Sequence, residues 1–248
     1  MPTVELFDHP WLPLALFAAS ALYAAVGHGG ASAYLAVLGF AGMTLEEMKP
    51  VVLVFNTAVS GLAFATYAKE GHFRPGLFWP LASASVPAAF IGGLLQVSHP
   101  AIKLILAAAL MLGAWRMVRA AQSGDEPLRT PLPGALPVLG GLIGLLSGLI
   151  GIGGGVFLTP LLLVFRWSGT KVAAAVSAAF ILANSVSGLA GMLARGASFP
   201  TAALLLLPVV LTGGWIGCRW GSLRARVVAL RRVLAAVLLI AAAKFIFP

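Results

Sequence analysis

Charged residues are scarce in this sequence: they make up 9% of its 248 residues, whereas a soluble domain carries roughly 25%. Hydrophobic residues reach 60%, and the mean hydropathy is +1.00. So little charge and so much apolar surface exclude a soluble globular domain and a disordered chain. We therefore expect an all-α polytopic membrane protein embedded in a lipid bilayer, because helices satisfy their own backbone there.

Acidic residues and cysteine are scarcer still. The seven Asp and Glu residues all lie in predicted loops or tails, and Cys218 is the single cysteine. An enzyme needs an acid–base pair, an activated nucleophile or a metal-ligand cluster, and the apolar segments offer none. We expect no enzyme, no metal and no cofactor. The formal charge is +9. We attribute this excess of Lys and Arg to cytoplasmic loops, where basic residues set the orientation of a membrane protein, so we expect no nucleic-acid partner.

Glycine, by contrast, is concentrated at two places that interrupt apolar runs. The first break has the sequence Gly-His-Gly-Gly-Ala at residues 27–31, and the second break has Gly-Ile-Gly-Gly-Gly at residues 151–155. Consecutive glycines disrupt a helix, and a bilayer tolerates this only where protein or a water-filled cavity satisfies the backbone. We expect the two breaks to face each other near the middle of the membrane and to form a small anion site.

The apolar segments fall into two similar sets. They comprise residues 11–26, 32–42, 50–68, 77–97 and 101–118, and then 135–150, 156–165, 172–194, 201–218 and 227–247. The polar stretch 122–134 reads as a linker between an N-terminal repeat, 1–121, and a C-terminal repeat, 135–248. Crossing a bilayer takes about 20 residues, and the segments beside each break are shorter. Each repeat is therefore predicted to be a glycine-broken re-entrant helical hairpin plus three transmembrane helices.

Sequence matches and basic residues predict that the two repeats are inverted. Residues 27–30 align with 151–154, and Val-Ser-Gly-Leu at 59–62 aligns with the same letters at 186–189. If each hairpin returns to its own side, most basic residues become cytoplasmic, as the positive-inside rule requires. The outer side then keeps only Lys49, Lys103, Arg195 and Lys244. This arrangement places the N-terminus outside and gives each repeat three net crossings, which inverts the second repeat.

Anion binding is expected where a helix begins inside the membrane. Such a start presents unpaired N–H groups and the positive end of the helix dipole. No Lys or Arg lies near the middle of a predicted span, so neutral groups must hold the anion. The predicted binding residues are Gly29, Gly30, Ala31, Ser32, Asn56, Thr57, Gly153, Gly154, Gly155, Val156, Asn184 and Ser185.

Two further features have alternative interpretations. His28, in the first break, is a candidate for proton coupling, because an ionisable residue inside a membrane is a functional candidate by default; it could equally cap a half-helix in its neutral form. Two rows of glycine follow the small-xxx-small pattern of helix packing. They are Gly140, Gly144 and Gly148, and Gly213, Gly217 and Gly221. Either row could also form the seam of a homodimer.

The second break, with Gly148 before it and Pro160 after it, resembles the sulfite exporter TauE/SafE family. The resemblance extends over essentially the whole chain, with its two halves and a glycine-rich break at the start of each. The first half departs from the motif, with Ala31 at the third glycine and Ala36 where the second half has Pro160. Family membership implies transport of sulfur-containing anions across the cytoplasmic membrane.

These observations together predict a multi-pass protein of the inner (cytoplasmic) membrane that acts as a secondary transporter. Its cargo would be sulfite, a sulfonate or a related oxyanion, moved by alternating access. A passive anion channel is one alternative, and it would show high flux without dependence on a counter-ion. A membrane assembly factor that transports nothing is another, and anions should not stabilise such a protein.

Overall fold

The computed structural model describes residues 9–95, 111, 127–197 and 201–246, and every regular element in these ranges is a helix. The predicted segment 101–118, apart from Met111, and linker residues 122–126 lie outside the described residues. Helices in the first half are α1 (Leu12–Ala24), α2 (Ala31–Phe40), α3 (Leu45–Lys69) and α4 (Pro75–Leu94). Those in the second half are α5 (Ala135–Ile150), α6 (Gly155–Val164), α7 (Thr170–Ala194), α8 (Leu207–Arg219) and α9 (Val227–Ile246).

Helix length separates the elements that are long enough to cross a membrane from shorter apolar helices. Among the described residues, four stretches are long and apolar enough to cross a membrane: α3, α4, α7 and Thr201–Arg224, which joins a 3₁₀ turn, α8 and a π-helical turn. By contrast, α1, α2, α5 and α6 have 10 to 16 residues. The all-helical membrane architecture predicted from composition is confirmed.

Helix α3 begins at Leu45, five residues before the predicted start of its apolar segment. The cause is a capping box, in which Glu47 Oε2 accepts hydrogen bonds from the backbone N–H of Thr44 at 3.0 Å and from its hydroxyl at 2.7 Å. This pairing satisfies backbone groups that a helix start leaves open. Pro50 lies within the helix as a result, and so does Lys49, which the sequence analysis assigned to an outer loop.

Both breaks end at a residue whose backbone conformation only glycine adopts readily. Gly30 is the N-cap of α2 with φ +102°, and Gly154 is the N-cap of α6 with φ +79°. These values belong to the left-handed region, where a Cβ atom is disfavoured. Each break therefore turns the chain sharply and starts a new helix.

The two glycine rows pack one half of the chain against the other. Gly140, Gly144 and Gly148 of α5 lie against the backbone carbonyls of Leu81, Ser85 and Ala89 in α4, and Gly213, Gly217 and Gly221 lie against those of Phe17, Ala21 and Ala25. A Cβ atom at any of these glycines would come within 2.4 Å of a carbonyl oxygen. Both rows are thus occupied inside the chain, so neither is left for a homodimer seam.

Candidate functional site

The two breaks meet through the side chain of His28. Its Nδ1 lies 3.1 Å from the carbonyl oxygen of Val26, and its Nε2 lies 3.0 Å from that of Gly155, at the start of α6. The side chain is only 2% exposed. One buried imidazole therefore joins the first break to the second, across 127 residues of sequence.

Asn56, from α3, lies between the two breaks. Its Nδ2 is 3.3 Å from the carbonyl oxygen of Ile152 and 3.2 Å from Ser185 Oγ. A Cβ atom at Gly29 would lie 2.0 Å from Asn56 Oδ1, and one at Gly153 would lie 2.5 Å from Asn56 Nδ2. Glycine at both positions therefore makes room for the amide to enter between the two segments.

A small cavity lies at this junction, and we call it the break cavity. Its volume is about 10 Å³, and it is lined by Tyr23, His28, Gly29, Gly30, Ala31, Ser32, Asn56, Ile152, Val156 and Ile181. That volume is close to the smallest that holds one water molecule. An oxyanion is several times larger than this volume, so the cavity in this conformation is too small to hold one.

The electrostatics of the break cavity come from helix starts. Neither N-cap, Gly30 nor Gly154, supplies a side-chain cap, so the first N–H groups of α2 and α6 have no acceptor within their own helix. Ala31 and Ser32 of α2 and Val156 of α6 line the cavity. No Asp or Glu is among its lining residues, and the described residues hold no metal-binding cluster. The environment suits an anion.

Several predicted residues lie at the cavity, and others do not. Thr57 donates to the carbonyl of Leu53 at 2.8 Å and lines an apolar groove between α3 and α7 instead. Asn184 accepts a hydrogen bond from Ser85 of α4 at 2.8 Å and is absent from the cavity lining. Ser185 is buried and contacts Asn56. Gly154 packs near Ile143, Ser147 and Phe180.

Sequence reasoning missed Tyr23, Ile152 and Ile181, which complete the lining. The hydroxyl of Tyr23 lies 2.8 Å from Ser32 Oγ and donates to the carbonyl of Val237 at 3.3 Å. The sequence feature that could have identified Tyr23 is its position four residues before Gly27, about one helical turn from the first break.

A buried lysine lies near the second break. Lys49 is 8% exposed, and a Cβ atom at Gly151 would lie 3.2 Å from its Cγ. Lys49 precedes Asn56 by seven residues, two turns or about 10 Å along α3. Lys49 therefore lies inside the protein beside the second break, whereas the sequence analysis placed it on the outer side.

Comparison with known proteins identifies a family of membrane transporters. The family described as "Sulfite exporter TauE/SafE" matches residues 12–245. "Probable membrane transporter protein y4hK" of Sinorhizobium fredii (strain NBRC 101917 / NGR234) is 33% identical over 241 residues, which cover 95% of this chain and 97% of that protein. No solved structure matches. With its two glycine breaks and apolar helices, the chain belongs to the sulfite exporter TauE/SafE family of membrane transporters.

Proposed function

We propose that this protein is a secondary transporter that moves a small sulfur oxyanion, such as sulfite or a sulfonate, across the cytoplasmic membrane. The observation that carries the proposal is the junction of the two breaks: His28 and Asn56 bring the starts of α2 and α6 to one closed cavity. Half-helices that begin inside a membrane and point their N-termini at a shared cavity are typical of anion-carrying secondary transporters.

Packing between the halves supports inverted repeats. Helix α1 packs against α8, α4 packs against α5, and α3 packs against α7. The first element of each half thus contacts the last spanning element described in the other half, and the third elements contact each other. A two-fold axis between the halves would produce this exchange. In the proposed topology each half makes three net crossings, an odd number, so the second half is inverted and the axis lies in the membrane plane.

The closed cavity supports alternating access over a passive channel. A permanently open channel would show a continuous passage at this junction, whereas the cavity has a volume of only about 10 Å³. In the proposed cycle, the two halves separate on one side to admit the anion and then on the other to release it. Cargo is held by backbone N–H groups at the starts of α2 and α6, where residues 29–32 and Val156 line the cavity, because dipoles bind an anion without retaining it as a fixed charge would.

The contacts of His28 support proton coupling. A neutral imidazole carries one N–H, so it can donate to only one of two carbonyls. Both nitrogens of His28 face carbonyl oxygens, those of Val26 and Gly155. A doubly protonated ring would donate to both, so in the proposed cycle the binding of an anion beside the ring and the uptake of a proton by it favour each other. Loss of the proton would release one contact between the breaks.

Flux into proteoliposomes that contain the purified protein tests the proposed function. The panel is sulfite, thiosulfate, sulfate, methanesulfonate and chloride, each with and without a pH gradient. We expect saturable flux of at least one sulfur anion and little flux of chloride. Equal, non-saturating flux of every anion would instead indicate a channel. An absence of flux together with an absence of anion-dependent stabilisation would favour an assembly factor.

A further inference from the structure

The carbonyl oxygen of the Asn56 side chain is buried without a partner. Asn56 is 1% exposed, and its Oδ1 has no hydrogen-bond partner among the described residues. This oxygen lies on the Gly29 side of the amide, at the break cavity that Asn56 lines. A buried acceptor without a donor costs roughly 1–3 kcal/mol, so Asn56 Oδ1 favours a ligand that brings a hydrogen to this position.

The orientation of the amide follows from its other contacts. The atom that faces the carbonyl of Ile152 must be a donor, because a backbone carbonyl only accepts. The NH₂ group therefore points to Ile152 and Ser185, at 3.3 Å and 3.2 Å, and Oδ1 points the other way. The sequence analysis expected Asn56 to be a donor to the anion, but both of its donor contacts are made within the protein.

The remaining polar side chains of the cavity also direct their hydrogens to protein acceptors. Tyr23 donates to the carbonyl of Val237, so the hydrogen in the contact between Tyr23 and Ser32 comes from Ser32. Both ring nitrogens of His28 face carbonyls. The cavity therefore offers backbone N–H groups for the negative oxygens of a ligand, and Asn56 Oδ1, a buried side-chain acceptor without a partner among the described residues, for a hydrogen.

We propose that the cargo is a monoanion that carries its own hydrogen-bond donor, an O–H or N–H group, which it directs to Asn56 Oδ1 while its charged oxygens face the start of α2. Bisulfite and hydroxyl-bearing or amino-bearing sulfonyl anions belong to this class. Sulfate dianion and simple alkyl sulfonates lack the donor and leave the acceptor unpaired against their own oxygens. This inference rests on the proposed function and specifies the substrate class of the same site.

The test compares two anions of similar shape and equal charge, sulfamate and methanesulfonate. Sulfamate carries an NH₂ group where methanesulfonate carries a methyl group. Binding of each is measured by thermal stabilisation of the purified full-length chain in detergent micelles. We expect sulfamate to bind about tenfold more tightly, the factor that one net hydrogen bond of ordinary strength supplies.

Two variants locate the donor contact. Asn56→Leu keeps the approximate volume and removes the acceptor, so sulfamate and methanesulfonate should then bind equally. Ser185→Ala removes a contact of Nδ2 and keeps Oδ1, so the preference should persist. If Asn56→Leu fails to fold, the comparison on the unmodified chain still decides the proposal.

Equal binding of the two anions to the unmodified chain would overturn the inference, and so would a preference that survives Asn56→Leu. Stabilisation by neither anion would also overturn it. These outcomes differ from a failure of the proposed function, which would show as an absence of flux for every anion of the panel. A chain that transports methanesulfonate as well as it transports sulfite would keep the function and lose the inference.

Discussion

His28 and Asn56 are first-half side chains that contact backbone carbonyls of the second break, and glycine leaves the space for them to do so. The imidazole contacts the carbonyl of Gly155, and the amide contacts that of Ile152. A side chain at Gly29 or Gly153 would overlap the amide of Asn56. The glycines of the two breaks therefore matter for the space that the missing side chain leaves, as well as for their backbone angles.

The first prediction concerns His28 and the coupling ion. In His28→Gln, the amide can still donate to one carbonyl but cannot take up a proton. We expect anion flux at equal pH on both sides to persist, while accumulation driven by a pH gradient disappears. One coupled proton supports accumulation of about tenfold for each pH unit. Flux assays in proteoliposomes measure both quantities, and unchanged gradient-driven accumulation in the variant would contradict proton coupling.

Neighbouring residues on one helix show what the sequence could and could not predict at this scale. The pairs 56–57 and 184–185 were both expected to line the site, but consecutive residues on a helix point about 100° apart. In each pair one member reaches the junction, Asn56 or Ser185, and the other turns to a groove or to α4. The pattern of apolar residues does not determine how α3 and α7 are rotated about their axes, because both faces of these buried helices are apolar.

Among the helices, the two glycine rows explain how the two halves of the chain approach each other closely. Helix α5 packs along α4 through glycines at which a Cβ atom would collide with a backbone carbonyl. The stretch from α8 through the π-helical turn that follows it packs along α1 in the same way. The small-xxx-small pattern predicted close packing. It did not predict the partners, because they lie in the other half of the chain, more than 50 residues away in sequence.

The second prediction concerns the row on α5. A Cβ atom at Gly144 would lie 2.3 Å from the carbonyl oxygen of Ser85, whereas one at Gly141 would lie 3.7 Å from Ala84 Cβ, an ordinary contact. We expect Gly144→Ala to lower the free energy of unfolding by roughly 1–3 kcal/mol through overpacking, and Gly141→Ala to leave it unchanged or slightly raised. Thermal unfolding in one detergent compares the two. Equal effects would show that the row does not pack as described.

The third prediction concerns the connection between α3 and α4. Partial burial there lowers the pKa of His72 below its usual value, and the nearby charge of Lys171 lowers it further. The folded state thus resists protonation more than the unfolded chain does. The stability contribution is complete above the unfolded pKa of about 6.5 and is lost as pH falls below it.

Unfolding temperatures of the unmodified chain and of His72→Gln, measured between pH 8 and 5, test this prediction. We expect the unmodified chain to lose slightly more stability on acidification than the variant does. The effect should be small because a backbone hydrogen bond to Ser222 and the charge of Glu70 both raise the pKa of His72 and oppose the shift. A larger loss in His72→Gln would contradict the direction of the shift.

For the whole molecule, composition and segment length were sufficient to predict an all-helical membrane protein with a break in each half. Those properties depend on average hydropathy and on consecutive glycines, which sequence shows directly. The burial of Lys49 was not predictable in the same way, because it depends on the early start of α3 at the Thr44 capping box. The closed cavity was not predictable either, since it depends on how tightly the two halves meet.

The most direct measurement is saturable sulfur-anion flux in Gly29→Ala, with Gly61→Ala as its matched control. Both glycines have ordinary backbone angles, but a Cβ at Gly29 would lie 2.0 Å from Asn56 Oδ1, whereas one at Gly61 would lie 3.7 Å from Leu182. We expect Gly29→Ala to lose flux by roughly tenfold or more, as overpacking of 1–3 kcal/mol at the binding junction implies, while Gly61→Ala transports normally. Full transport by a folded Gly29→Ala protein would contradict a binding site between the two breaks.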